Sequence, residues 1–362
     1  MERLAVLRAN KDSLLARLRE KSTPATVSAD PSARYEPFPL TDVQAAYLLG
    51  RNDAFEFGGV ACHVYLEVNY PKLDPLRVEA AWNQLIGRHD MLRVVINSDA
   101  YQRVLPSVPQ FAVPVMDGRG ATPERIDSAL EAIRAEMAHR VHQTTRWPMF
   151  EVRTTLADER AVLHLSMDFL VADWASIWLL LGEFERLHAD PTHALPALDV
   201  RFRDYLLAER RLRETDRFQC DRDYWWARLD ALPPAPELPV LEQPGARTVG
   251  PLRRRVGRLN GADWNRLKER AQQRGLTPSS VVLAAYAATL ERWSRTRRFS
   301  LNLTLLNRLP LHEQVGHLVG DFTSVSLLAV DWQEGSSFAQ RATTICGQLF
   351  DDLDHRLCSG VE

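Results

Sequence analysis

Lysine is nearly missing from this chain: Lys11, Lys21, Lys72 and Lys268 stand against 41 arginines. With alanine abundant, that bias reads as GC-rich coding rather than as a phosphate-binding surface. A charge imbalance is missing too. The formal net charge is −2, which removes the electrostatic case for nucleic acid or an anionic membrane as partner. Cysteine is scarce, and Cys62, Cys220, Cys346 and Cys358 lie far apart with no CxxC pair. Neither a disulfide framework nor a zinc site is indicated. The strongest apolar runs, residues 281–290 and 177–181, fall well short of the roughly 20 residues a membrane helix needs. The leading MERLAVLRANKDSLL is charged throughout and has no secretory apolar region. GxSxG, P-loop and GxGxxG patterns do not occur, so the chain carries no cofactor signature of its own. These absences, with 45% hydrophobic and 25% charged residues, predict a cytoplasmic globular protein that binds no metal.

The 362 residues allow one large or two medium domains with a sizeable core. Residues 1–37 read as a short leucine-bearing helix followed by a Ser/Pro/Ala linker. Thr41, as N-cap with Gln44 three residues on, predicts a capping box at the start of the next helix. Through residue 231 the pattern predicts strands at 60–69, 92–96, 101–105, 150–155 and 160–168, alternating with helices at 75–88, 123–141, 174–188 and 202–229. Residues 232–250, with LPPAPELPVLEQPG, read as an extended inter-lobe linker. Beyond it come strands at 252–259, 298–305 and 323–330, and helices at 261–274, 279–293 and 337–353. Both halves mix strands and helices, which predicts an α/β protein of two similar lobes, 38–231 and 251–362.

The sharpest local feature is Asp168-Phe169-Leu170-Val171-Ala172-Asp173-Trp174-Ala175-Ser176, two carboxylates flanking an apolar turn between a strand end and a long helix. Strand ends that feed helices aim side chains into clefts. Desolvation by Phe169, Leu170 and Val171 raises a carboxyl pKa toward neutral, which suits proton transfer. A purely structural reading is open as well: Asp173 caps the helix with Ser176 at N3, and Asp168 ends a strand. Asn307, Arg308 and His312 follow a strand, Gly320-Asp321-Phe322-Thr323-Ser324 opens another, and Arg88-His89-Asp90-Met91-Leu92-Arg93 ends a helix. Each of these alone is compatible with an ordinary turn or helix terminus.

In combination, FPLTDVQAAYLLGR (38–51), RHDMLR (88–93), DFLVADWAS (168–176), TPSSVVLAAYAATLERWS (277–294), LNLTLLNRLPLH (301–312) and VGDFTS (319–324) resemble the ordered motifs of nonribosomal peptide synthetase heterocyclization domains. That family is a branch of the condensation-domain superfamily. The resemblance implies a chloramphenicol-acetyltransferase-like fold, two α/β lobes with the active site in a tunnel between them. Condensation domains carry HHxxxDG where this chain has Asp168–Asp173, so Phe169 stands at the position of the catalytic histidine and His164 lies outside the frame. The implied reaction joins a carrier-bound acyl or aryl thioester to carrier-bound Cys, Ser or Thr, then cyclodehydrates the amide to a thiazoline or oxazoline. Siderophore or antibiotic assembly is the implied setting.

The resemblance implies upstream and downstream carrier proteins as partners. Their phosphopantetheine arms would be the only cofactors, with none bound directly. By the same resemblance Asp168, Asp173 and Ser176 are the catalytic-motif residues. Gln44, Arg88, Arg93, Asn307, Arg308, Asp321 and Thr323 line or brace the cleft. We expect Asp173 to be chiefly architectural, pairing with Arg88 or Arg93, and Asp168 to influence chemistry. Family members continue past the SGVE at the end of this chain, with further second-lobe strands and the Thr and Asp credited with cyclodehydration. A non-catalytic carrier-binding scaffold and a plain amide-forming condensation domain remain as alternatives.

Overall fold

The computed structural model describes residues 27–52, 54, 58–97, 99–239 and 255–361. The expected N-terminal helix and much of the expected linker lie outside them. In the first lobe, an antiparallel ribbon of β2 (His63–Tyr70), β7 (Ala161–Asp168) and β6 (Phe150–Leu156) is extended in parallel by β5 (Val115–Asp117). All eight residues of β7 are buried, as expected of a strand paired on both edges and covered on both faces. Helices α2 (Pro75–Arg88) and α4 (Trp174–Ala189) pack against each other. Trp82, Phe150 and Phe184 meet beneath them with ring centroids about 6.1 Å apart. A small sheet of β1 (Phe38–Pro39), β4 (Tyr101–Val104) and β3 (Val94–Ile96) closes one side. Helix α3 (Pro123–Met137) ends four residues before the expected boundary.

Local chemistry explains most boundaries. Helix α1 (Asp42–Leu49) begins with the expected box: Thr41 Oγ1 accepts from Gln44 N at 3.0 Å, and Gln44 Oε1 accepts from Thr41 N at 2.8 Å. The single helix expected at 202–229 is in fact two, α5 (Phe202–Arg211) and α6 (Asp216–Trp226). Thr215 breaks the run by taking an extended conformation and capping Phe218 N. Residues 90–93 form a short 3-10 turn rather than the start of a strand.

The second lobe has a two-stranded antiparallel sheet, β8 (Phe299–Leu306) with β9 (Thr323–Val330), among the described residues. Its helices are α7 (Gly261–Gln273), α8 (Pro278–Trp293) and α9 (Phe338–Asp354). Ala284, Ala287, Phe299, Leu328, Ala342 and Ile345 form its core. The strand expected at 252–259 is not seen over its described part, 255–259. Val256 and Leu259 are exposed there and no neighbouring strand pairs with them among the described residues. Residues 233–237 run beside β8 instead, with the Pro234 carbonyl accepting from Ser300 N at 2.8 Å.

Two segments join the lobes. Leu309, Leu311, Val315, Leu318, Val319 and Phe322, between β8 and β9, are buried in the first lobe's core. In the other direction α6 lies on the second lobe, where Trp225 Nε1 donates to the His355 carbonyl at 3.0 Å and Tyr224 stacks on His355. The junction is therefore packed core rather than two surfaces in passing contact.

Candidate active site at the lobe junction

Strand β7 delivers Asp168 to the junction, and the five residues that follow turn the chain into α4. The Asp168 carboxylate is wholly buried and paired with Arg51, whose Nη2 donates to Oδ2. Leu170 N donates to Oδ1 at 3.0 Å, and Arg51 Nη1 donates to the His142 carbonyl at 2.8 Å. Burial pushes the Asp168 carboxyl above the usual carboxylate range, and Arg51 and the Leu170 amide pull the other way. Gln44, itself buried, holds the turn by donating to the Leu170 carbonyl at 2.6 Å.

Asp173 does a different job. It caps α4, accepting from Ser176 N at 2.6 Å, and its other oxygen accepts from Phe322 N at 3.3 Å. Arg308, from the segment that crosses over from the second lobe, donates to Asp173 Oδ1 at 2.9 Å and to Ser176 Oγ at 2.8 Å. Its other Nη donates to the Val315 and Leu318 carbonyls at 3.0 and 2.8 Å, and its plane lies 4.0 Å from the Phe322 centroid. Ser176 Oγ in turn donates to the Gly320 carbonyl at 2.8 Å and accepts from Gly320 N at 3.1 Å. Gly320 is required here: a Cβ on it would lie 2.1 Å from the Phe202 ring.

The expected partner of Asp173 was therefore wrong. Arg88 pairs with Glu183 at 3.3 Å and Arg93 with Asp90 at 2.8 Å, both in the first-lobe core and away from the junction. His89 reaches Glu183 at 2.7 Å in the same buried cluster, so RHDMLR ties α2 to α4 through charge rather than lining the cleft. His164 is also buried, between Tyr65 Oη at 2.7 Å and Thr155 Oγ1 at 2.9 Å. Desolvation holds it neutral, with its pKa lowered to about 4.

Between the two aspartates, side chains from both lobes converge. Asp321 is fully buried, accepts from Thr323 N at 3.1 Å and lies 3.5 Å from Thr41 Oγ1. Burial raises its pKa to about 7, with the charge of Asp173 adding to the effect. Burial pushes the Tyr47 phenol and the Cys62 thiol upward. The Tyr47 ring packs on Phe169 at 6.4 Å, and Phe169 N donates to the Cys62 carbonyl at 3.0 Å. A small cavity of about 50 Å³ opens here, lined among others by Thr41, Tyr205, Asn307, Asp321, Thr323 and Arg356. The Asn307 carbonyl accepts from Tyr205 Oη at 3.2 Å.

Gln44, Asp168, Asp173, Ser176, Asn307, Arg308, Asp321 and Thr323 thus come together, and Arg88 and Arg93 do not. Arg51, Tyr47 and Cys62 belong with the first group and escaped sequence reasoning. Arg51 and Tyr47 lie within FPLTDVQAAYLLGR, where the motif itself was the available signal; Cys62 had none. No group of three His, Cys, Asp or Glu side chains among the described residues is arranged to hold a metal ion, and no described helix is long and apolar enough to cross a membrane.

The Condensation domain family matches residues 37–357. Pyochelin synthetase PchF of Pseudomonas aeruginosa is 45% identical over 357 residues, 98% of this chain and 20% of that protein. Phenyloxazoline synthase MbtB of Mycobacterium tuberculosis is 37% identical over 334 residues, 90% of this chain and 23% of that protein. The chain spans about a fifth of the length of these curated relatives. Among solved structures, the EpoB NRPS cyclization-docking bidomain from Sorangium cellulosum superposes with a TM-score of 0.85 at 36% identity, covering 97% of this chain and 70% of that one. With these similarities and the two-lobed α/β architecture, the chain belongs to the condensation-domain family and groups with its cyclizing members.

Proposed function

We propose that this chain is the heterocyclization portion of a nonribosomal peptide synthetase. An acyl or aryl thioester on an upstream carrier is attacked by the amine of carrier-bound Cys, and the side-chain nucleophile then closes the ring with loss of water. Cys is preferred over Ser or Thr because sulfur is the stronger nucleophile. Phosphopantetheine arms deliver both substrates, and holding two tethered reactants at one junction supplies much of the rate. The reading is carried by one observation: the loop that bears both aspartates ends in a packed two-lobe junction, in a chain similar over nearly its whole length to a cyclization bidomain. The setting is the cytoplasm. The working divisions are 1–37 as leader and linker, 38–231 as first lobe, 232–250 as linker and 251–362 as second lobe.

Within the site we assign Asp173, Ser176 and Arg308 to architecture, and Asp168 with Arg51 to the electrostatics of the cleft wall. Asp168→Asn alone leaves the Arg51 guanidinium unpaired in a nearly dry site, so lost activity would be ambiguous. Arg51→Met with Asp168→Asn removes both charges. We expect that pair of changes to lower product formation at least tenfold while thermal melting stays cooperative. Full activity in the double variant refutes a chemical role for Asp168. The assay uses acyl-loaded and Cys-loaded carriers. A product lighter by one water supports cyclization, amide alone indicates plain condensation, and carrier binding without turnover indicates a scaffold.

A further inference from the structure

Strand β4 turns Gln102 and Val104 inward and leaves Tyr101 and Arg103 exposed. A glutamine at an inward strand position is costly unless all its polar groups are bonded, and here each is. Gln102 Nε2 donates to the Pro39 carbonyl of β1 at 2.9 Å and to Gln44 Oε1 at 3.0 Å. Its Oε1 accepts from Gln44 Nε2 at 3.3 Å. The two amides, both wholly buried, thus form a reciprocal pair. Gln44 completes its set with Thr41 N, which donates to Oε1 at 2.8 Å, and with the Leu170 carbonyl, which accepts from Nε2 at 2.6 Å. All four amide protons are used, and only one orientation of the pair allows it. Turning either amide over would point its oxygen at the Pro39 or the Leu170 carbonyl.

The pair leads to the turn that carries both aspartates. Leu170 is held by both of its backbone groups: Gln44 grips its carbonyl, and its N–H donates to Asp168 Oδ1 at 3.0 Å. We infer that Gln102 is a positioning residue for this turn, acting through Gln44 on Leu170 and so on the Asp168 carboxylate. The inference rests on the reading given under Proposed function and on the part given there to Asp168. The Gln102 side chain makes no hydrogen bond to the turn among the described residues, so its effect passes through the Gln44 amide. Without Gln102, Gln44 keeps its bond from Thr41 N but loses the partner that fixes the roll of its amide toward Leu170. A shift of about 1 Å at a reacting group can cost about 100-fold in rate. Arg51 still holds Asp168 from the other side, so the expected loss is smaller, about tenfold.

The test measures heterocycle formation from acyl-loaded and Cys-loaded carriers in wild type and in Gln102→Met, which keeps the side chain's length and removes its amide. We expect kcat to fall about tenfold while KM for either loaded carrier stays within about twofold. In the background of Arg51→Met with Asp168→Asn, the same substitution should change kcat by less than about twofold, because the group it positions is gone. Equal losses in the two backgrounds mean a merely structural role and overturn the proposal. So does a Gln102→Met kcat within about twofold of wild type, or full turnover in the background itself. If Gln102→Met does not fold, Gln102→Met with Gln44→Met leaves no half-bonded amide in the core. That pair must show the same loss and the same dependence on background. Wild type forming no heterocycle fails the underlying reading instead, before any variant is compared. Amide hydrogen exchange gives a readout independent of turnover. In Gln102→Met the Leu170 N–H should exchange at least about tenfold faster while the Leu165 N–H in β7 is unchanged, and unchanged exchange at both overturns the proposal.

Discussion

Arg308→Met is the most incisive perturbation of the lobe junction. The guanidinium donates to Asp173, Ser176 and two backbone carbonyls and covers the face of Phe322. Methionine keeps most of the apolar stem and removes every one of those bonds. Stripping one partner from a buried ion pair costs about 3–5 kcal/mol, because the other charge stays behind without compensation. The side chain of Asp173 is fully buried and that of Arg308 is 16% exposed, so solvent relieves little of it. The orphaned Val315 and Leu318 carbonyls add about 1 kcal/mol each. The total, on the order of 5 kcal/mol, matches the lower end of a typical domain's entire stability. We expect the urea midpoint to fall sharply and the single transition to split as the lobes separate before either unfolds. The decisive measurement is the cycle with Asp173→Asn. Removing the carboxylate charge relieves the orphan, so the double variant should be about 2 kcal/mol more stable than the sum of the singles. Additivity within about 0.5 kcal/mol would falsify the assignment of Arg308 and Asp173 as the junction's staple.

Gly320→Ala drives a methyl group into the Phe202 ring, within a cluster that also holds Tyr205 and Phe322. It should cost about 1–3 kcal/mol, seen as a lowered melting temperature that Phe202→Leu partly restores; an unshifted melt means the junction is looser than described. The pH dependence of stability should show two opposed contributions. His164 is held at about 4, below the ordinary histidine value of 6.5. Its contribution is complete above about pH 6.5 and is lost as pH falls through 4, up to about 3 kcal/mol. Asp321 is raised from 3.8 to about 7. Its protonated-state advantage is complete below about pH 4 and is lost as pH rises through 7, up to about 4 kcal/mol. Melts of His164→Asn and Asp321→Asn across pH 4 to 8 separate the two. Each variant should flatten its own limb, and parallel curves for variant and wild type would remove the group concerned from the balance.

What could be read from the sequence follows the range of the forces involved. The Thr41–Gln44 box and the Asp173 cap depend on atoms within one helical turn, and each is where its residues predict. Strand β9, residues 323–330, was equally legible, because alternation is a property of the strand itself. The Thr215 break was within reach too, since a Thr followed three residues on by Phe218 N is a cap signal that the helical pattern on either side masks. The strand expected at 252–259 shows the limit from the other side: alternation makes a strand only where a neighbour is available to pair. Arg93 pairs with Asp90 three residues away, within local reach, yet no local rule says that the partner of Arg88 is Glu183 rather than Asp173.

The site itself depends on pairings no local rule supplies. Asp168 and Asp173 occupy the two ends of one short turn, and their sequence neighbourhoods look alike. Their separate roles come from what arrives across space. Arg51, 117 positions away, meets Asp168, and Arg308, 135 positions away, meets Asp173. Asp321 differs from both because no cation is bonded to it among the described residues, so burial acts on it unopposed by an ion pair. Three buried carboxyls within one junction thus fall into three electrostatic classes. One is paired at the cleft wall, one is paired as a staple, and one is raised by burial with no cation bonded to it among the described residues. Freeing either of the first two carboxyls means breaking an ion pair at a cost of several kcal/mol, so the three do not exchange roles.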